Sequence, residues 1–380
     1  MFKSLSLQNF KCFKALEKPV EFSQINIVTG SNGRGKSSIF QSVLLLAQSY
    51  EAGKDWLSLK IKGKFIDLGN YRDVVRNGDI NEKMTIVVET DNEKDNRMKF
   101  IGKNTDGKGI DCTFDNIYVN DVPLIDLVVM VGDDKLQNED HVLSTVSTST
   151  YGCFSQFANV YYVAADRQGP ASIWSEPKEN SLVGDALGIH GERIINSLYE
   201  NKEEFQEMVA KELSYILGGA SVKAKDTDDF EAVRLYLDSI DESNGYKPIN
   251  VGFGYSYVLP VVVLPLLMKE GSKFFVENPE AHLHPGAQSR LMQYLVRIAK
   301  EKNIQLFVES HSDHVVNAAR ILVKNKQNGI DKKDVMIIHI GRDQDKTPKI
   351  WQIKLDTEGN LSDYPQDFME EWGNQMSLLV

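Results

Sequence analysis

The stretch Gly30-Ser31-Asn32-Gly33-Arg34-Gly35-Lys36-Ser37 constrains this chain more than any other. It fits GxxxxGK[ST], stands after a strand-like run at 27–30 and opens an apolar helix over 36–48. A glycine-rich turn in that setting curls successive backbone N–H groups round a phosphate, with the positive end of a helix dipole behind them. The lysine is then placed for β- and γ-phosphates and the Ser37 hydroxyl for a magnesium ion. Asn32, Gly33, Arg34, Gly35, Lys36, Ser37 and Ser38 are the expected nucleotide-binding residues, with ATP and Mg²⁺ as the expected ligands. A turn that merely caps the helix would not need the lysine and the hydroxyl together.

A phosphate-binding loop also needs an acid at the end of a neighbouring strand. The run Lys273-Phe274-Phe275-Val276-Glu277 offers Glu277 as the metal-side acid, and Glu280 follows closely. Val308-Glu309-Ser310-His311 places a histidine just after the next strand-like run. From residue 273 onward strands (273–276, 305–309) alternate with helices (287–302, 313–324), which predicts a parallel sheet with helices on its faces. Strands of such a sheet end at one edge, so Lys36, Glu277 and His311 can converge on one nucleotide.

The rest of the chain reads as additions to that sheet. Apolar alternation at Phe2, Leu5, Leu7 and Phe10 predicts an N-terminal hairpin. Short β-rich runs at 57–61, 84–89, 98–101, 110–114 and 124–131 predict an antiparallel lobe. A polar loop is expected at 133–150, a strand at 160–164, one helix over 191–217, a polar loop round 226–229, a strand at 232–237 and a helix after Gly254, with Pro265 expected to kink or end it. The expected fold is a single α/β domain over 1–380 with a mixed or parallel sheet, an inserted β-rich and helical lobe at 57–250, and C-terminal strands with an acidic tail at 335–380. No heptad run predicts a long coiled coil. The longest apolar run, 258–268, contains two prolines and falls short of the roughly 20 residues that span a bilayer.

These motifs resemble ABC-type ATPases of the RecF, SMC and OLD-like AAA group. The resemblance rests on LQNFKCF at 7–13, GSNGRGKSS at 30–38, FFVENPEAHLHP at 274–285 and ESHSD at 309–313. The chain is also similar to small stand-alone bacterial ATPases that share ENPEAHLHP and ESHSDH and end in a segment like 356–368. Several of those are encoded beside nucleases or toxins in phage-defence systems. The resemblance implies a homodimer or higher oligomer that closes round ATP, with the signature turn of one subunit over the nucleotide of the other. Here that turn is 250–256, giving Gly252, Gly254 and Ser256 as its candidates; the same glycines would also serve a tight strand-to-helix turn. The resemblance further implies a metal-binding acid followed by a water-positioning acid, where this chain has Glu277 and then Asn278. An amide cannot take a proton, so Glu280 becomes the candidate base, with His311 as its rival and slow hydrolysis as the consequence.

Composition decides among partners. With 43 Lys and Arg against 54 Asp and Glu, net charge −11, nucleic acid is possible but not indicated. Six acids and no Lys or Arg lie in 355–380, where Phe368, Trp372 and Leu378 predict packing. This favours a protein partner over a DNA clamp of the repair type; that the partner is an effector, a nuclease or toxin encoded nearby, which the chain regulates, is what the resemblance implies. Three widely spaced cysteines and no membrane segment predict a cytoplasmic protein. Three weaker readings remain as expectations. His282, His284, His311 and His314 offer imidazoles for zinc. Asp343-Gln344-Asp345 offers half of a nuclease metal site. Arg167 offers a guanidinium for phosphate, for a subunit interface, or for a salt bridge with Asp166, while Lys11 and Phe13 offer an adenine clamp or, for Phe13, core packing.

Overall fold

The computed structural model describes residues 1–50, 59–94, 96–124, 154–167, 173–175, 188–227, 230–238, 246–247, 250–342 and 348–379. At its centre lies a six-stranded sheet in the spatial order Pro348–Ile353, Val335–Arg342, Ile25–Thr29, Gln305–Glu309, Lys273–Glu277, Val160–Val163. The first of these strands runs antiparallel to its neighbour, and every other pairing is parallel. The strand that feeds the phosphate loop therefore sits between the strands ending in Glu309 and passing through His339.

Successive residues of these strands point to opposite faces, as the pleat requires. Ile25, Ile27, Phe274, Val276, Leu306 and Val308 pack on one side, under the helices Phe253–Leu267, Pro285–Glu301 and Asp313–Lys324. Val28, Phe275 and Phe307 pack on the other, against the helix Lys36–Ser49. There Phe275 and Phe307 stack with centroids 4.3 Å apart, and Phe40 meets Phe275 edge-on at 5.1 Å. A helix with apolar residues all round, such as Lys36–Ser49, needs this double cover. On its outer side lies an antiparallel seven-stranded sheet built from Phe2–Phe10, Phe13–Ala15, Val20–Glu21, Met84–Thr90, Arg97–Asn104, Cys112–Val119 and Val122–Pro123. Both the central sheet and the antiparallel lobe thus form, with no long coiled coil among the described residues.

Several expectations are corrected. Residues 59–61 are not a strand: their region has only an isolated bridge between Lys62 and Asp67. The helix expected over 191–217 is two, Ile194–Glu200 and Lys202–Leu217, broken at Asn201. The second ends at Gly218, whose φ of 80° suits a left-handed cap. Ahead of the strand Phe230–Asp238 an unexpected partner, Ser221–Thr227, forms a hairpin with it, and Ile173–Ser175 joins as a third strand. Pro265 does not stop its helix at once: the helix runs two residues further, to Leu267. The proline falls in the last turn, where Lys302 Nζ donates to the carbonyls of Pro265 (3.1 Å) and Leu266 (2.7 Å) and so caps the exposed end. In the tail Phe368 is buried, but Leu378 is exposed on the helix Glu371–Leu379, and nothing is described of the Trp372 side chain. The loop at 133–150 and the Asp343-Gln344-Asp345 triplet lie outside the described residues. Among the described residues no helix is long and apolar enough to cross a membrane.

Candidate active site

The phosphate loop leaves its strand at Gly30, with φ of 134°, and a Cβ there would stand 2.1 Å from the carbonyl oxygen of Ile340. Only glycine fits that approach. Gly33 and Gly35 also take positive φ, and Gly35 is the residue that starts the helix. Lys36 is buried within this loop and donates to the carbonyls of Gly30 (2.8 Å) and Ser31 (3.0 Å). Burial lowers its ammonium pKa, and Glu309 partly opposes that shift. Asn32, Gly33 and Arg34 are open or half-open at the loop tip, and Ser38 is buried behind it. Cys12 and Phe13 back the loop: Phe13 is core, as its packing reading expects, and Lys11 is engaged by Gln41 Oε1 at 2.6 Å.

Three glutamates gather beside this loop. Glu277 and Glu309 are register partners on adjacent parallel strands. Ser37 Oγ donates to Glu309 Oε1 at 3.2 Å, so the loop hydroxyl meets Glu309, a residue to which sequence reasoning gave no role. The signal was present, since FFVE and LFVE are two apolar strands that each end on a buried acid. Burial, then the neighbouring Glu277, push the Glu309 carboxyl up to about 7. Glu277 is also raised, mainly by burial, while hydrogen bonds from Tyr162 and from the Ala165 backbone pull it back. Glu280 Oε1 accepts from Ser310 Oγ (2.7 Å) and from the His311 backbone N–H (3.0 Å), which ties it to the loop that carries His311. Its Oε2, like Glu309 Oε2 and Asn278 Oδ1, is buried without a hydrogen-bond partner. Asn278 takes a left-handed φ of 44°, and its N–H donates to the Glu309 carbonyl at 2.8 Å. His311 is kept toward its neutral form by burial first and then by Lys36.

A magnesium ion fits beside the loop hydroxyl: Ser37 meets Glu309, whose Oε2 is buried without a hydrogen-bond partner, and hard oxygen donors suit the ion. Zinc does not fit, since among the described residues no set of three or more His, Cys, Asp or Glu is placed to share a metal. The histidines have other work. His284 caps the helix Pro285–Glu301 by accepting from Gly286 N–H, and His282 packs on Tyr257 with ring centroids 4.6 Å apart.

Arg167 reaches neither phosphate nor an outer surface, and it forms no salt bridge with Asp166. Its guanidinium is 1% exposed and donates to four carbonyls, those of Ala164 (2.8 Å), Tyr257 (3.1 Å), Glu277 (2.7 Å) and Asn278 (2.7 Å). It thus pins the end of the Glu277 strand to the helix Phe253–Leu267. Burial lowers its pKa to about 10, which leaves it charged at neutral pH.

The expected signature turn opens that same helix. Gly252 is exposed with open space round it, whereas a Cβ on Gly254 would lie 2.8 Å from the His282 carbonyl oxygen. The close-turn reading therefore holds for Gly254. Ser256 is buried inside the helix, so it is not presented to a partner's nucleotide, and this candidate is withdrawn. Phe253, 71% exposed, projects instead, beside a cavity of about 500 Å³ lined by Tyr255, His282, His284 and Arg290.

Residues 167–316 match the AAA ATPase domain family. No curated protein matches the chain. Among solved structures it is similar to an SMC head bound to the C-winged helix domain of ScpA, at 12% identity and TM-score 0.54, covering 93% of this chain and 98% of that one. It is likewise similar to an SMC head with an extended coiled coil bound to the C-terminal domain of ScpA from Pyrococcus furiosus, at 12% identity and TM-score 0.50, covering 100% and 98%. The chain thus has the fold of SMC head domains, with a match to the AAA ATPase domain family over residues 167–316.

Proposed function

We propose that the chain binds ATP with Mg²⁺ at the loop 30–37, hydrolyses it slowly, and uses the bound nucleotide to close a homodimer that regulates or scaffolds an effector protein. The observation that carries this reading is the position of the loop: Lys36 and Ser37 stand at the carboxyl edge of the parallel sheet, beside strands that both end in buried glutamates. Ligands of open α/β sheets bind at that edge. Lys36 would leave its loop carbonyls for the phosphates, and the loop N–H groups would hold them. A magnesium ion, when bound, neutralises charge on the β- and γ-phosphates. Glu280 would accept a proton from water, a reading supported by its Oε2, which has no hydrogen-bond partner while Oε1 is fixed by Ser310 and His311. Asn278 cannot do so, which supports slow turnover.

Closure would set the exposed end of the helix Phe253–Leu267, with Gly252, against the nucleotide of a second copy. The SMC heads of like fold are bound to domains of ScpA, which supports a protein partner here as well. The similarity to stand-alone defence ATPases supports a nuclease or toxin in that place, in a cytoplasmic anti-phage system. Free Cys12 and Cys112 agree with a reducing compartment. Lys36→Ala should abolish ATP binding in equilibrium titration, and unchanged affinity would sink the site assignment. Co-purification with the neighbouring gene product tests the effector.

A further inference from the structure

Glu277 and Glu309 end neighbouring strands in direct register. Strands lie about 4.8 Å apart, so the two carboxyl groups emerge side by side. Their surroundings differ. Glu277 is held by Tyr162 and the Ala165 N–H. Glu309 is 5% exposed, receives only the Ser37 hydroxyl on Oε1, and leaves Oε2 buried without a hydrogen-bond partner. Two buried carboxylates side by side repel, so either one takes a proton or a cation joins them. Lys36 lowers the Glu309 pKa in part, but its ammonium donates to Gly30 and Ser31 and makes no hydrogen bond to Glu309. The strand order explains the arrangement: the Glu309 strand lies between the phosphate-loop strand and the Glu277 strand, so Glu309 meets Ser37 first.

We propose that Glu309 is a magnesium-side carboxylate of this site, sharing the ion with Glu277 and the Ser37 hydroxyl. Mg²⁺ is commonly held by one or two carboxylates together with substrate phosphates, and here the protein would supply two. The proposal rests on the nucleotide-site reading and adds a ligand that the acid-after-strand motif at Glu277 does not contain.

The test is a Mn²⁺ titration of the full chain, followed by electron paramagnetic resonance of the free ion, with and without a non-hydrolysable ATP analogue. Glu309→Gln keeps the shape and can still accept from Ser37. It should weaken Mn²⁺ binding by about tenfold or more, comparable to Glu277→Gln, as loss of a ligating carboxylate does. Analogue affinity measured in EDTA should stay within about threefold of the parent, because no phosphate contact is removed. Mn²⁺ affinity within about twofold of the parent, while Glu277→Gln loses it, would overturn the role of Glu309. If the parent fails to bind the analogue, the nucleotide reading falls, and the nucleotide-free Mn²⁺ comparison still decides whether Glu309 ligates.

Discussion

Arg167 offers the sharpest test of how the site is held. Its side chain is fully buried and its donors meet four carbonyls drawn from three segments, the turn after Val160–Val163, the helix Phe253–Leu267 and the Glu277-Asn278 corner. Removing it in Arg167→Ala strips charge-assisted hydrogen bonds that contribute about 1.5–3 kcal/mol each in favourable cases. Water entering the vacated space would re-satisfy part of them. The expected loss of stability is therefore about 3–5 kcal/mol, the range for breaking a buried charged network. Arg167→Met separates packing from hydrogen bonding, since it refills the stem but supplies no donor. The reasoning expects Met to recover only the packing part, about 1–2 kcal/mol. Urea unfolding gives these values, and ATP titration on the folded fraction should show weaker binding, because the Glu277 corner is no longer fixed to the helix Phe253–Leu267. An Arg167→Met midpoint equal to the parent would refute the bracing role.

Gly254→Ala should destabilise by about 1–3 kcal/mol, because its Cβ would press on the His282 carbonyl 2.8 Å away, whereas Gly252→Ala meets open space and should melt like the parent; equal melting temperatures for both would contradict the close-turn assignment. Glu280→Gln should lower phosphate release by about a hundredfold with ATP affinity nearly intact, as expected for loss of a general base; normal turnover would pass that role to His311. In metal-free buffer the raised Glu309 carboxyl makes stability fall as pH rises. Below its ordinary value both states are protonated, and between there and about 7 the unfolded chain ionises while the folded one resists. The loss should be on the order of 3 kcal/mol, and Glu309→Gln should flatten the slope seen in urea midpoints across that window. A parent profile that rises with pH over the same range would contradict the buried pairing with Glu277.

The legible part of this chain was the part where local pattern and tertiary role coincide. A strand, a glycine turn and an amphipathic or apolar helix are each fixed by a few adjacent residues, so the phosphate loop and the alternation after residue 273 could be read directly. Ser256 shows where that ends: it stood in for a serine that the resembled motif places at Gly252, but the helix starts after Gly252, and the extra residues carry the hydroxyl round to the buried face. The break at Asn201 was equally hidden, because the polar run from Glu200 to Glu204 reads just as well as the solvent face of one continuous helix. Glu309 is the instructive case. Its own strand reads like that of Glu277, yet which acid meets Ser37 depends on the lateral order of strands, a property of the whole sheet and not of either segment. Two glutamates in register at one sheet edge, with a loop hydroxyl against one of them, are a poor arrangement for stability alone. Such a pair persists in a buried position when the missing positive charge arrives with a ligand, and the edge at which it sits is the one where the phosphate loop opens.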